Sequence, residues 1–407
     1  MTHKWPLNTN DFNLLDRLKI CGFFLNYENR WTQSRLVQEY ENKIAHYVGA
    51  KYAVFVSSGS TANQLIAQYT KDNLIQRGEW PKRNKVIINA VTWQTNLSPF
   101  IREGFEPIFI DANLSDFSLD YDSLDKTLEL HKNEVACVFP TSVLGFTPDI
   151  NRINSICLKH NVPLKLDNCE NSEGRYLKDG SWRNICSEFT CSTSVYVAHI
   201  WSNGTEGGFI FTNLKEEYEY YLMARAHGLL RNLFPYSAEL GKTESEILKS
   251  RNELVDSQFD FQILSSNYRS TDFAAFCGLL NFEKLLAHRL KRKALYKTFF
   301  DKIDKTKYIL PPRLNYLEDV PFCLPIVLKN PDTRAIESIK RTLDISSIER
   351  RSFISGNMLR QKCYQKYGNY LDFPNAEIIN NFGLYVGLYP SLKEKYIVDL
   401  VEKLNNI

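Results

Sequence analysis

The chain has 407 residues, 43% of them hydrophobic, and its 50 basic and 47 acidic side chains leave a net charge of only +3. That length can bury a large core, in about two or three domains. The near balance of charge excludes a field that would draw the protein to nucleic acid or to an anionic membrane. M-T-H-K-W-P-L-N lacks the apolar stretch of a signal peptide and no 18 apolar residues run together, so a soluble cytoplasmic protein is expected. Nine cysteines (Cys21, Cys137, Cys157, Cys169, Cys186, Cys191, Cys277, Cys323, Cys363) carry no C-x-C or C-x-x-C spacing. Reduced, largely buried thiols are expected, and neither a zinc nor an iron–sulfur site.

In chain order, residues 1–30 show little pattern, and the first helix signal runs from roughly 34 to 47, where Leu36, Tyr40, Ile44 and Tyr47 recur at helical spacing. Seven short apolar runs then alternate with helical patterns, at 53–58, 85–90, 106–111, 135–140, 162–167, 189–194 and 208–212. Such alternation predicts an α/β fold with a mostly parallel seven-stranded sheet covered on both faces. Beyond residue 213 a helical pattern precedes a charged stretch at 238–256. A long helix over 271–303 leads to a smaller C-terminal α+β domain, so the predicted division is 1–303 and 304–407.

Ligands of such sheets bind beyond the carboxyl ends of the strands, where polar residues collect here. Ser57-Ser58-Gly59-Ser60 ends the first run, Asp167-Asn168-Cys169-Glu170 the fifth, and Ser194 the sixth. Ser58-Gly59-Ser60-Thr61 opens a helix, and reads either as a phosphate cradle or as a plain N-cap. Asp167 closes an apolar strand, so its carboxylate either takes a cationic partner or caps the next turn. Trp93 can stack on a flat ring or fill the core. His199 is a candidate proton carrier or a structural histidine.

The order and spacing of these motifs resemble the DegT family of fold-type I pyridoxal-phosphate enzymes, the sugar aminotransferases, over nearly the whole chain. The resemblance rests on S-S-G-S-T-A-N from Ser57, the tryptophan of T-W-Q-T, D-N-C-E from Asp167, Ser194 with H-I-W-S-N-G-T-E-G-G from His199, R-A-H-G-L-L-R-N from Arg225, N-Y-R from Asn267 and I-E-R-R-S-F-I-S-G-N from Ile348. Aminotransferases of the family carry a Schiff-base lysine near His199, yet no lysine occurs between Lys178 and Lys215. The chain is therefore most similar to the lysine-lacking GDP-4-keto-6-deoxymannose 3-dehydratase branch.

The resemblance implies an aspartate-aminotransferase-like fold and a pyridoxal or pyridoxamine 5'-phosphate cofactor. Gly59, Ser60 and Ser194 would hold its phosphate, Trp93 would stack on the ring, Asp167 would pair the ring nitrogen, and Glu170 would face the ring hydroxyl. His199 would be the acid–base. Asn267 would reach the phosphate of a neighbouring subunit in a homodimer, and Arg225, His227, Arg231 and Arg351 match segments on the substrate side. The implied reaction removes the 3-hydroxyl of a nucleotide-linked 4-keto-6-deoxyhexose, with L-glutamate as amino donor, in deoxysugar and cell-surface polysaccharide synthesis. A nucleotide-sugar aminotransferase and a catalytically silent relative are the alternatives. Two departures from the pattern stand out: Ile200-Trp201 follow a single histidine where close relatives have two successive histidines and a loop one residue shorter, with Trp201 expected to reshape the pocket, and Leu166 precedes Asp167 where an acidic residue is common.

Overall fold

The apolar runs become strands because they are rich in Val, Ile and Phe and are bounded by turn residues. In the computed structural model, which describes residues 4–9 and 11–407, helices α1 (Leu14–Leu25) and α2 (Arg35–Val48) come before the first strand. Met1–His3, the start of the amino-terminal stretch read above, lie outside the described residues, as does Asn10. The strands are β1 (Tyr52–Val56), β2 (Lys85–Asn89), β3 (Glu106–Ile110), β4 (Val135–Val138) and β5 (Leu166–Asp167). A hairpin, β6 (Arg175–Lys178) and β7 (Ser181–Asn184), precedes β8 (Cys191–Ser194) and β9 (Gly208–Thr212).

Strands β3-β2-β4 form one run and β5-β8-β9-β1 another. Parallel bridges Val138–Leu164 and Thr141–Asp167 join them into the expected seven-stranded sheet. Only β9 runs antiparallel to its neighbours β8 and β1. Helices α3 (Gly59–Gln76), α4 (Gln94–Arg102), α5 (Tyr121–His131), α6 (Ile150–Lys159) and α7 (Lys215–Ala224) connect the strands. Ile87 packs with α5 and α6 in one apolar cluster, whereas Val86 and Ile88 join the main core with residues of α3 and α4. Burial on both faces explains why β2 and β4 read as unbroken apolar runs rather than alternating ones. A second antiparallel sheet, from β11 (Cys323–Val327), β13 (Gly383–Gly387) and β12 (Arg350–Ser352), follows in the C-terminal part. Before it, β10 (Leu317–Glu318) pairs with the hairpin.

The structure corrects three sequence readings. Residues 14–25 are helical, started by an Asn13–Asp16 capping box. The periodicity is inverted there, with Leu14, Leu15, Leu18 and Leu25 exposed and Asp16 buried against Lys284, so no inward apolar stripe marks the helix. The single helix expected over 271–303 is two, Asp272–Phe282 and Leu285–Lys302. At the break Asn281 donates to the Ser202 carbonyl (2.8 Å) and Lys284 donates to the Asp11 carbonyl (3.0 Å), contacts that no local propensity encodes. The charged stretch 238–256 begins with the short helices Ser237–Leu240 and Glu244–Leu248.

Arg225 is not on the substrate side. Its guanidinium is wholly buried against Glu41, the Phe55 carbonyl (3.2 Å) and the Tyr236 hydroxyl. Glu41 also accepts from the Phe55 N–H (2.6 Å) and the Tyr236 hydroxyl (2.7 Å), so this cluster ties α2, β1 and the end of α7 together. Removing one partner of a buried pair leaves the other charge stranded. Arg225→Met should therefore cost about 3–5 kcal/mol in urea denaturation. A loss under about 1 kcal/mol would mean that Glu41 takes up a proton at no cost.

Candidate active site

Helix α3 begins where β1 ends, and its N-cap Ser58 forms a capping box with Thr61. The N–H groups of Gly59 and Ser60 donate to no partner among the described residues, which leaves free donors at the positive end of an 18-residue helix. The close approach that puts them there requires glycine. A Cβ on Gly59 would lie 2.6 Å from Cys169 Sγ and 2.9 Å from Ser194 Cβ, and a Cβ on Gly208 would lie 2.4 Å from the Gly59 nitrogen. Helix start, Ser194 and the E-G-G turn thus meet at one point. Ser60 Oγ lies 2.9 Å from Thr95 Oγ1, on the helix that Trp93 N-caps, and Trp93 itself is 55% exposed rather than core.

Asp167 is 3% exposed at the carboxyl end of β5. Its Oδ2 accepts from Asn63 Nδ2 (2.9 Å) and its Oδ1 from the Cys169 N–H (3.2 Å). No cationic side chain pairs with it among the described residues. A buried carboxylate served only by neutral donors has unspent capacity for a cation. Lys165, two residues upstream, is committed to Glu217 at 2.6 Å. Glu170 Oε2 accepts from the Leu144 N–H (2.7 Å), and Leu144 holds a left-handed φ of 56° to present it. Burial, assisted by the charge on Asp167, lifts the Glu170 carboxyl to about 8, so it is a proton donor at neutral pH.

His199 stands five residues past Ser194 in a loop held by two anchors. Its N–H donates to the Tyr196 carbonyl (2.9 Å), and the Tyr196 N–H donates to Ser194 Oγ (3.2 Å). The imidazole lies between Tyr196 (centroids 5.8 Å) and Phe322 (5.6 Å), with Nδ1 shut off from solvent and unpartnered. Burial, with a smaller push from the Arg292 charge, lowers its pKa to about 4. Ile200 and Trp201 do not reshape the pocket, because both are core residues, and Trp201 Nε1 donates to Glu173 (2.7 Å).

Of the outlying residues, Arg351 comes nearest the crevice: it pairs across the strand with Tyr385, whose ring lies 6.2 Å from Phe322. Asn267 is exposed beside β1, where the Tyr268 carbonyl accepts from the Ser57 N–H (2.9 Å). Arg231 is exposed and lies over Phe259, and His227 sits at a φ of 68° with its N–H on the Ser266 carbonyl. One chain alone does not bring Asn267, His227 or Arg231 to the carboxylate and the imidazole. Sequence reasoning gave no role to Asn63, although it lies in the quoted S-G-S-T-A-N motif, and missed Phe322 and Tyr385, which carry no local signal.

Solved structures match the fold over nearly the whole chain. The chain is similar to Escherichia coli GDP-4-keto-6-deoxy-D-mannose-3-dehydratase with bound hydrated PLP, with a TM-score of 0.85, 25% identity, and coverage of 99% of this chain and 100% of that one. A GDP-4-keto-6-deoxymannose-3-dehydratase structure with a trapped PLP-glutamate geminal diamine gives 0.84 at 25% identity, covering 98% and 100%. The fold is that of pyridoxal-phosphate sugar aminotransferases and dehydratases. The model of the DegT/DnrJ/EryC1/StrS aminotransferase family matches residues 25–405, and the chain belongs to that family. In sequence, GDP-4-keto-6-deoxy-D-mannose 3-dehydratase of Yersinia pseudotuberculosis is 28% identical over 389 residues, 93% of this chain and 91% of that protein.

The two shifted groups predict opposite pH dependence. An unfolded histidine takes its proton near 6.5 and the folded His199 only near 4, so between those values the unfolded chain binds more protons and stability falls as pH drops. His199→Asn should flatten that decline in urea melts between pH 6.5 and 4.5. Glu170 holds an extra proton in the folded state from its ordinary 4.5 up to about 8, a stabilisation lost as pH rises through that window. Glu170→Gln should remove that loss. Parallel parent and variant curves would show that neither group is buried as described.

Proposed function

We propose that the protein is a pyridoxal-phosphate-dependent 3-dehydratase of a nucleotide-linked 4-keto-6-deoxyhexose. The observation that carries this reading is the half-buried His199 imidazole, its Nδ1 without a partner among the described residues, in the loop between β8 and β9, where the family's aminotransferases hold the cofactor on a lysine. The residues fit the cofactor on their own chemistry. The free N–H groups at the start of α3, with Ser60 and Ser194, suit a phosphate. Asp167, a buried carboxylate with no cation, suits a protonated pyridine nitrogen, and the protonated Glu170 suits the ring hydroxyl. Exposed Trp93 offers a face for the ring.

When bound in its amine form, the cofactor supplies the amine that condenses with the 4-keto group and the electron sink that makes the neighbouring C–H bond acidic. Asp167 keeps the pyridine nitrogen protonated and so maintains that sink. His199 is neutral at physiological pH because its pKa is near 4, and Nδ1 has no competing donor. It takes the proton from the cofactor methylene and returns it to the departing 3-hydroxyl as water leaves. With no lysine at this place, no amine competes for the aldehyde carbon when the sugar leaves. The balance is one glutamate and one sugar in, and one 2-oxoglutarate, one ammonia and one 3-deoxy-4-keto sugar out. Exposed Asn267 suits a contact with the phosphate of a second subunit, and Arg351, beside Tyr385, suits the nucleotide-sugar side.

The test is product analysis with a GDP-linked 4-keto-6-deoxyhexose and glutamate. Ammonia and 2-oxoglutarate should appear in equal amounts with a deoxy sugar, and an amino sugar without ammonia would make the protein an aminotransferase. His199→Asn should lower turnover by roughly 10²–10⁴-fold with cofactor binding retained. Asp167→Asn, which keeps size and removes charge, should slow it by orders of magnitude with the fold intact. Turnover near the parent's in both variants would remove both residues from the chemistry.

A further inference from the structure

A second cavity, of about 700 Å³, lies behind the loop that serves Glu170, and it shares no lining residue with the crevice. Leu144 of that loop faces Glu170, whereas the Phe146 ring packs on Tyr296 (5.5 Å) and the Thr147 N–H donates to Asp319 (2.7 Å), and both partners line the cavity. Five cations face it, Arg175, Arg289, Lys293, Lys297 and Arg313, and two carboxylates, Glu318 and Asp319, stand among its lining residues.

Most of those charges have a carboxylate partner: Lys297 meets Asp301, and Arg289 lies 3.5 Å from Glu173. Glu318 serves both Arg289 and Lys293, Arg175 reaches Glu173 only at 3.8 Å, and Arg313 has no carboxylate partner among the described residues. One buried donor is idle: the Tyr296 hydroxyl, on a residue 5% exposed, has no hydrogen-bond partner among the described residues. Trp182, 46% exposed on the hairpin, adds a flat apolar face at the rim. The volume is within the range of ligand sites, about 300–1,000 Å³. Guanidinium and ammonium groups beside an indole are what a phosphorylated aromatic ligand requires.

We propose that this cavity binds a nucleoside diphosphate, with the phosphates on Arg175, Lys297 and Arg313 and the base on Trp182. The phosphates of such a ligand are negatively charged at neutral pH and suit guanidinium and ammonium donors. The site does not rest on the dehydratase reading, since its residues take no part in that chemistry.

The experiment follows tryptophan fluorescence of the full-length, cofactor-loaded protein during titration with GDP, with inorganic pyrophosphate as competitor. A quenching component that disappears in Trp182→Phe reports the site. In the Lys297→Glu, Arg313→Glu double variant this component should weaken at least tenfold, while KM for the nucleotide sugar stays at the parent value. Both changed residues are exposed, and an unaltered melting curve checks the fold. Pyrophosphate should displace GDP without quenching and bind more weakly. Undiminished Trp182 quenching in the double variant, or a rise in KM with GDP binding at the cavity unchanged, would overturn the proposal. GDP binding no tighter than pyrophosphate would overturn the assignment of the base to Trp182.

Discussion

The rest of the site depends on one buried carboxylate. Asp167 sits at the end of a two-residue strand with its carboxylate supported by Asn63, a main-chain N–H and the Ser192 hydroxyl, and by no cation among the described residues. A charge desolvated in this way is expensive unless something positive completes it. Several features are built around that requirement. Asn63 reaches it from the second turn of α3 while also donating to the Thr95 carbonyl (3.0 Å), so the helix that offers its N-terminus to an anion is aligned on the same residue. The glycine contacts of Gly59 and Gly208 fix the distance between that helix and β8 and β9. The free N–H groups at the start of α3 and the Asp167 carboxylate are thereby positioned by the same helix.

The second constraint acts on the loop between β8 and β9. Glu173, wholly buried, accepts from Trp201 Nε1 and from the Tyr47 hydroxyl (2.8 Å) and lies 3.5 Å from Arg289. Trp201 is thus an anchor two residues from His199, and it lies in the core rather than in the crevice. Asn203 extends the anchoring by donating to the Glu206 carbonyl (3.2 Å). A histidine on a loop fixed at both ends keeps its orientation, which is what a proton carrier serving two positions requires.

Much of this was legible in the sequence, and the exceptions have physical reasons. The seven strands, the polar residues at their ends and the roles of Ser58 to Thr61 follow from apolar runs and cap chemistry, both local properties. Asp167 could be read as buried because the strand before it is apolar. The hairpin around Asp179-Gly180, with φ of 50° and 74°, had a local D-G signal that the regular alternation of strands and helices obscured. Arg225 was misplaced because its partner Glu41 is 184 residues away, and a buried pair at that separation leaves no periodic trace. The same holds for Phe322 and Tyr385, which reach the crevice from a different sheet, and for helix α1, whose apolar residues face outward.

The central claim is that charge and hydrogen bonds hold the cofactor here, without a covalent link. It is tested most directly by reducing the cofactor-loaded protein with borohydride and mapping its peptides by mass spectrometry. The account predicts no cofactor-sized adduct on any lysine and complete release of the cofactor on denaturation. An adduct on a lysine would contradict it, and would make that lysine, rather than His199, the residue around which the chemistry is arranged.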